Sequence, residues 1–183
     1  MICPLSCLAR SMARRGREIN TIDRMVGFVQ VDREETEEPM TPQERAERSA
    51  QAMWDKDAAS KWLGMTLDAI GPGTATLSFQ VQDHHLNGHR ICHGGYIFTL
   101  ADSAFAFACN SYNRVTVAQE NSITFLSPGQ PGERLTAQAA EVGRAGRSGV
   151  YDVRVTGADG RTVAMFRGLS RTIKGQNFEE DET

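Results

Sequence analysis

The chain of 183 residues lacks the features that mark several large function classes. Its 4 cysteines, Cys3, Cys7, Cys92 and Cys109, form no CxxC pair, which excludes a disulfide scaffold and a cysteine-rich zinc module. A reducing cytoplasm is the compartment that fits them. No apolar run approaches the ~18–20 residues of a membrane span, so no membrane partner is expected. A basic surplus is missing too. The 20 Lys and Arg stand against 23 Asp and Glu, a formal charge of −3, which argues against a dedicated nucleic-acid binder. No GxSxG elbow offers a serine nucleophile, and no segment repeats.

Residues 1–40 also lack sustained periodicity and are expected to form a disordered extension, ending in the acidic run DREETEEP. In MICPLSCLARSMARRGR the arginines follow the apolar piece, the reverse of a secretory signal. Organelle targeting, a disordered tail, or an early start codon with Met12, Met25 and Met40 downstream are the readings it leaves.

What is present begins at Thr41-Pro42-Gln43-Glu44, a capping-box signature with Pro at the first helical position. The helix it opens is expected to run to Gly64, with Ala50, Met53, Trp54, Ala58 and Leu63 near one face. Alternation of Ala75, Leu77, Phe79 and Val81 with polar residues marks a half-buried strand. Further strands are predicted at 115–125, 133–142, 148–157 and 161–173, the last two joined by a hairpin turn at Ala158-Asp159-Gly160. No helix separates them, so the sheet should be antiparallel. The predicted domain is 41–176, with 177–183 as a tail.

Between the first strand and the rest lies HHLNGHRICHGGYIFTLAD, residues 84–102, which holds all 4 histidines. From Gly95 to Asn110 the sequence is apolar almost all round, so it should form a helix buried on most sides and wrapped by the sheet. The only charge between Gly94 and Asn113 is Asp102, and a carboxylate in such a helix is costly unless it is used or paired. Function and a structural bond to a neighbour such as Thr99 are both open. His93-Gly94-Gly95 places two residues without side chains where helix N–H groups point outward unpaired, a place for an acyl oxygen or merely for close packing.

Asp102 comes eight residues after Gly94, about 12 Å away at roughly 1.5 Å per residue. The two cannot grip one carbonyl within one chain. Serving one reaction would require a homodimer with sites at its interface. Four clustered histidines raise zinc, but their spacing fits no common ligand set, so no metal is expected. Cys92 and His93 are sequence neighbours whose side chains point apart. His84 and His85 read as loop residues, and Cys109 reads as core packing.

Asn87-Gly88-His89, His93-Gly94-Gly95, Thr99-Leu100-Ala101-Asp102 and Ala104–Ser111 (AFAFACNS) together resemble the signature of the phenylacetic-acid degradation thioesterases, within the hotdog-fold acyl-CoA thioesterase superfamily. The likeness extends over 43–176 and includes SITFLSPG, GVYDVRV and VAMFRG. It implies an α+β hotdog domain, dimers and commonly tetramers, and hydrolysis of acyl-CoA with aryl-acetyl groups such as ring-hydroxylated phenylacetyl. By the same likeness, Asp102 would activate water or attack the thioester, and Gly94 would offer its N–H to the carbonyl. Asn87 would orient water or substrate, and His93 would support the carbonyl end.

Gly95 completes the expected helix-start contact with substrate. For coenzyme A, part of the substrate rather than a separate cofactor, the phosphate contacts expected are Arg144, Arg147 and Ser148 in the loop GRAGRSG. From Arg134 to Lys174 there are 8 basic and 3 acidic residues, a count that solvated strand edges would also give. Tyr96, Phe98, Phe105 and Phe107 stand between lining an aryl pocket and filling the core. A hotdog hydratase or dehydratase and a non-catalytic acyl-CoA-binding protein are the alternatives. Pure binding gives no reason to bury Asp102 beside an acyl pocket.

Overall fold

The capping box at Thr41 is closed as its residues require. Thr41 Oγ1 accepts the Glu44 N–H at 3.2 Å, and the Glu44 carboxylate accepts the Thr41 N–H at 2.8 Å, opening α1 (Pro42–Lys56). The computed structural model describes residues 39–180, so the readings placed on 1–38 and 181–183 lie outside the described residues. The single helix expected as far as Gly64 is two helices. Asp57 ends α1, and its carboxylate accepts the Ser60 N–H at 2.9 Å to start α2 (Ala58–Trp62). A short acidic side chain bonding a backbone N–H three residues on competes with the helical ladder, so the break falls there.

One six-stranded antiparallel sheet follows: β1 (Thr66–Gly71), β2 (Thr74–Gln80), β3 (Thr116–Phe125), β4 (Arg134–Ala145), β5 (Ser148–Thr156) and β6 (Thr162–Thr172). Its order is β1-β2-β4-β5-β6-β3, which leaves β1 and β3 as edges. Alternation did not predict β1. It is short, its register shifts between Leu67 and Ala69, and only Gly71 of its six residues is buried. The turn between β5 and β6 forms at Ala158–Gly160, where Gly160 takes φ +81°.

Helix α3 (Gly94–Asn110) packs across one face of the sheet. Leu100, Ala101, Ala104, Phe105 and Ala108 are buried against β2, β4 and β5. On its other flank Phe107 meets Trp54 of α1 at 5.9 Å between ring centres, and Ser103 meets Ser60 of α2 at 3.1 Å. This is the α+β hotdog arrangement. One long helix is wrapped by sheet on one side and covered by α1 and α2 on another. Residues 177–180, expected as tail, are fastened to α1: Asn177 Nδ2 donates to Ser49 Oγ at 2.7 Å, and Glu180 pairs with Arg45 at 2.7 Å.

Candidate functional site

The start of α3 is built by a histidine rather than by the usual Ser, Thr or Asp. His93 Nδ1 accepts the Gly95 N–H at 2.9 Å, while the His93 N–H donates to the His85 carbonyl at 2.8 Å. With Nδ1 accepting, the neutral ring carries its proton on Nε2, which leaves an outward donor. This alters one expectation. The Gly95 N–H, expected to face substrate beside Gly94, is taken up by His93. The Gly94 N–H has no partner among the described residues and stands at the positive end of the helix dipole.

Gly94 faces β3. A Cβ there would lie 3.0 Å from Phe125 Cζ, so that ring packs against the bare Gly94 backbone and leaves no room for a side chain. Asp102 lies about 12 Å further along the helix and turns to the same strand. Its Oδ1 accepts from Asn121 Nδ2 at 2.7 Å, and its Oδ2 has no hydrogen bond among the described residues. Burial pushes the Asp102 pKa above the ordinary carboxylate value, and the Asn121 bond opposes that rise. A half-buried carboxylate with one oxygen fixed and one free is arranged as an acceptor of protons.

Asn121 was not legible in the sequence. The bond spans 19 residues and joins a helix to a strand, so no local pattern marks it. Its own Oδ1 is buried without a partner, a condition that ordinarily costs about 1–3 kcal/mol.

Asn87 sits in the loop before the helix, where its Oδ1 accepts from His89 N at 2.9 Å and Ile91 N at 3.4 Å. Its oxygen therefore shapes the loop, and its amide nitrogen makes no bond among the described residues. His85 is buried with Nδ1 accepting from Gln82 N at 3.0 Å, and its ring meets Phe79 edge to face at 4.9 Å and lies tilted against Tyr96 at 4.8 Å. Burial pushes the Cys92 thiol up to about 11, which makes it a poor nucleophile. Among the described residues no group of three or more His, Cys, Asp or Glu side chains converges as a metal site would.

A concavity of about 600 Å³ opens beside the helix start, lined by Trp62, Leu63, His84, Leu86, Tyr96 and Thr99. Trp62 on α2 is 73% exposed there, with its ring 6.2 Å from that of His84. Of the aromatic residues considered for an aryl pocket, Tyr96 lines this space. Phe105 and Phe107 are core, and Phe98 packs on Phe166 at 5.5 Å.

The basic hairpin between β4 and β5 lies at the other end of α3. Arg144 is stacked over the Tyr112 ring at 3.8 Å and lies 3.7 Å from the Glu141 carboxylate, so it is largely engaged within the chain. Ser148 Oγ accepts from Arg171 Nη1 at 3.1 Å, and the Arg147 side chain is exposed. Arg171 joins this group only through its pairing with Ser148 across β5 and β6, a register the sequence does not announce. Along β3 the hairpin end lies by Thr116 and the Gly94 end by Phe125, with Asn121 and Asp102 between.

A thioesterase superfamily model matches residues 89–164, the span that holds His93, Gly94, Asp102 and all of α3 together with β3, β4 and β5. The chain is 43% identical over 131 residues to the Escherichia coli protein acyl-coenzyme A thioesterase PaaI, covering 72% of this chain and 94% of that one. The structure of E. coli PaaI, from the phenylacetic acid degradation operon, superposes with a TM-score of 0.73 at 41% identity, covering 74% of this chain and 99% of that one. A hypothetical thioesterase protein from Streptococcus pneumoniae, solved with coenzyme A, matches with a TM-score of 0.63 at 27% identity, over 68% of this chain and 96% of that one. Fold, motif and relatives agree: the chain belongs to the thioesterase superfamily, as a hotdog-fold enzyme of the phenylacetic-acid-degradation type.

Proposed function

We propose that the chain hydrolyses acyl-CoA thioesters at two sites shared across a homodimer. Water is activated by Asp102 of one copy, and the carbonyl is polarised by the Gly94 N–H of the other. The observation that carries this reading is one of placement. Gly94 and Asp102 share one face of α3, about 12 Å apart, and both turn toward β3. That strand is ten residues long and paired on one side only. A long open edge invites pairing, and Phe125 and Leu126, 49% and 59% exposed at its end, favour covering it. Two-fold pairing of β3 with its copy lays the two α3 helices side by side in opposite directions, which carries each Asp102 toward the partner's helix start.

The free Asp102 oxygen takes a proton from water as it attacks the thioester carbonyl. The Gly94 N–H receives the developing oxyanion, with His93 Nε2–H as a supporting donor and Asn87 Nδ2 orienting the water or substrate. The tetrahedral intermediate then expels coenzyme A as its thiolate, a leaving group that needs little protonation. Coenzyme A is thus part of the substrate, and no separate cofactor enters. Support comes from the E. coli relative's name as an acyl-coenzyme A thioesterase and from the S. pneumoniae structure with coenzyme A.

For the acyl group we favour aryl-acetyl chains such as ring-hydroxylated phenylacetyl, seated in the concavity by Trp62 and Tyr96. The CoA phosphates meet Arg147 and Arg171 at the hairpin, with Ser148 between them and Arg144 as a charged neighbour. A dimer of dimers formed through the outer sheet face, where Val142 and Met165 are exposed, and a cytoplasmic location complete the reading.

Mixed dimers test the shared site. Asp102→Asn and Gly94→Val chains should each be inactive alone. Refolded or expressed together in equal amounts, half the dimers are mixed and each mixed dimer keeps one intact site, so about one quarter of wild-type thiol release should return. No recovery, with mixed dimers verified by differential tags, would place both groups in one chain's site and sink the proposal. Trp62→Ala should raise KM for aryl-acetyl-CoA about three- to tenfold relative to short straight-chain acyl-CoA, the loss of one aromatic wall. Equal effects on both substrate classes would remove Trp62 from the acyl pocket.

A further inference from the structure

We infer that Asn121 is a positioning residue for Asp102, held in place by the bulge in β3, and that it aims the free carboxylate oxygen at the reacting water. The inference rests on the reading of Asp102 as the base. Three observations carry it. Asn121 Nδ2, 2.7 Å from Asp102 Oδ1, makes the one hydrogen bond that this carboxylate has among the described residues. The other end of the same amide is buried without a partner, so the orientation of the amide is accounted for by the carboxylate alone. A residue kept only for packing or strand structure would have both ends satisfied or would be apolar.

The third observation is the register of β3. Ala118 pairs with Ser170, then the register shifts, and Asn121 pairs with Gly168. In an unbulged strand the residue opposite Gly168 would be Glu120. That would turn a second carboxylate toward Asp102, and two carboxylates in one site cannot both stay ionised at little cost. The extra residue, Gln119, shifts the phase so that an amide takes the position instead, and Glu120 is exposed. Asn121 also stands opposite a glycine, so nothing on β6 crowds its side chain from across the pair.

An N–H donated to the carboxylate favours its ionised form, so Asn121 both orients Asp102 and keeps it a base in a site where burial works the other way. No charged side chain accounts for the Asp102 shift. β3 presents the Asn121 amide, and the Cys109 thiol further along α3, pushed up chiefly by its own burial, is raised further by the Asp102 charge.

The test is the pH dependence of kcat/KM for thiol release by the full-length protein. Its substrate is whichever acyl-CoA the wild type hydrolyses, and it compares wild type with Asn121→Ser, Asn121→Leu, Asn121→Asp and Asp102→Asn. Leucine keeps the volume and removes the donor. It should lower kcat about tenfold with KM little changed and move the acidic limb up by about one pH unit. Serine, which restores a donor, should bring the limb part of the way back. Aspartate should push it beyond the leucine variant. A leucine variant that folds with the wild-type melting temperature and keeps the wild-type limb would overturn the inference. So would equal limbs for serine and leucine. If Asp102→Asn retains the wild-type rate, the reading of Asp102 itself fails. If Asp102→Asn is inactive while the limbs of the Asn121 variants stay put, only the positioning role fails.

Discussion

Asp102→Asn is expected to lower kcat by about 10²–10⁴-fold and, at neutral pH, to make the protein more stable. The two effects have one cause. Burial raises the Asp102 pKa, so the folded chain holds this proton more tightly than the unfolded chain does. A raised carboxylate pKa costs stability as pH rises from the unfolded value, about 3.9, through the folded one, and the cost is complete once the pH stands above the folded value. Asparagine never ionises and escapes it, while its side-chain oxygen still accepts from Asn121. Thiol release from a panel of acyl-CoAs, beside thermal unfolding at neutral pH and near pH 3, checks both halves. The variant should melt above wild type at neutral pH, and the gap should narrow in acid. Unchanged thiol release would move the base elsewhere. No release from either protein, with acyl-CoA binding intact, would favour the hydratase or the binding protein.

The largest stability effect is expected at Phe105. Its ring is 1% exposed and packs against Tyr151 at 5.5 Å and Phe166 at 5.9 Å. Truncation to alanine should cost about 3–5 kcal/mol, the loss of transfer energy plus the cavity left behind. At roughly 2–4 °C per kcal/mol for a domain of this size, the melting temperature should fall by on the order of 10 °C.

The strand beneath it makes the prediction sharper. A Cβ on Gly168 would lie 2.8 Å from two Phe105 ring carbons, so β6 carries a glycine there because the ring occupies the space. Gly168→Ala alone should therefore cost about 1–3 kcal/mol by overpacking. Added to Phe105→Ala it should cost much less, because its methyl enters the vacated volume. Urea unfolding of the double-mutant cycle measures the coupling, and strictly additive losses would show that ring and glycine do not compete for that space.

The same pair shows what kind of information a sequence carries in the open. An apolar helix with one carboxylate and a two-glycine start is visible as a string, and so is a capping box, because their logic closes within a few residues. The strands of β3 to β6 alternate or lie between turn residues, and their ends fall within a few residues of expectation. Contacts closed by the fold leave no such trace. Asn121 gains its meaning from a helix 19 residues away and a bulge that sets its face. Arg171 reaches Ser148 across a strand pair, and Trp62 reaches its cavity because Asp57 breaks the first helix. β1 stayed hidden because a short, bulged edge strand has too few inward residues to alternate. Even the histidine cap was half visible. The sequence points to His93, but its use of the Gly95 N–H depends on a side-chain angle.

The clasp between Arg45 and Glu180, at 2.7 Å, has a consequence for how the domain can be rewired. It brings the first turn of α1 and the last described segment of the chain to one corner, and Phe178 lies under the Arg48 guanidinium at 4.4 Å beside it. Backbone ends that meet in this way can be joined by a short flexible connector with little loop-closure entropy. The described domain, trimmed to residues 39–180, is therefore suited to circular permutation. New termini at the exposed Asp159–Gly160 turn would leave α3, the β3 edge and the helix-start site uninterrupted.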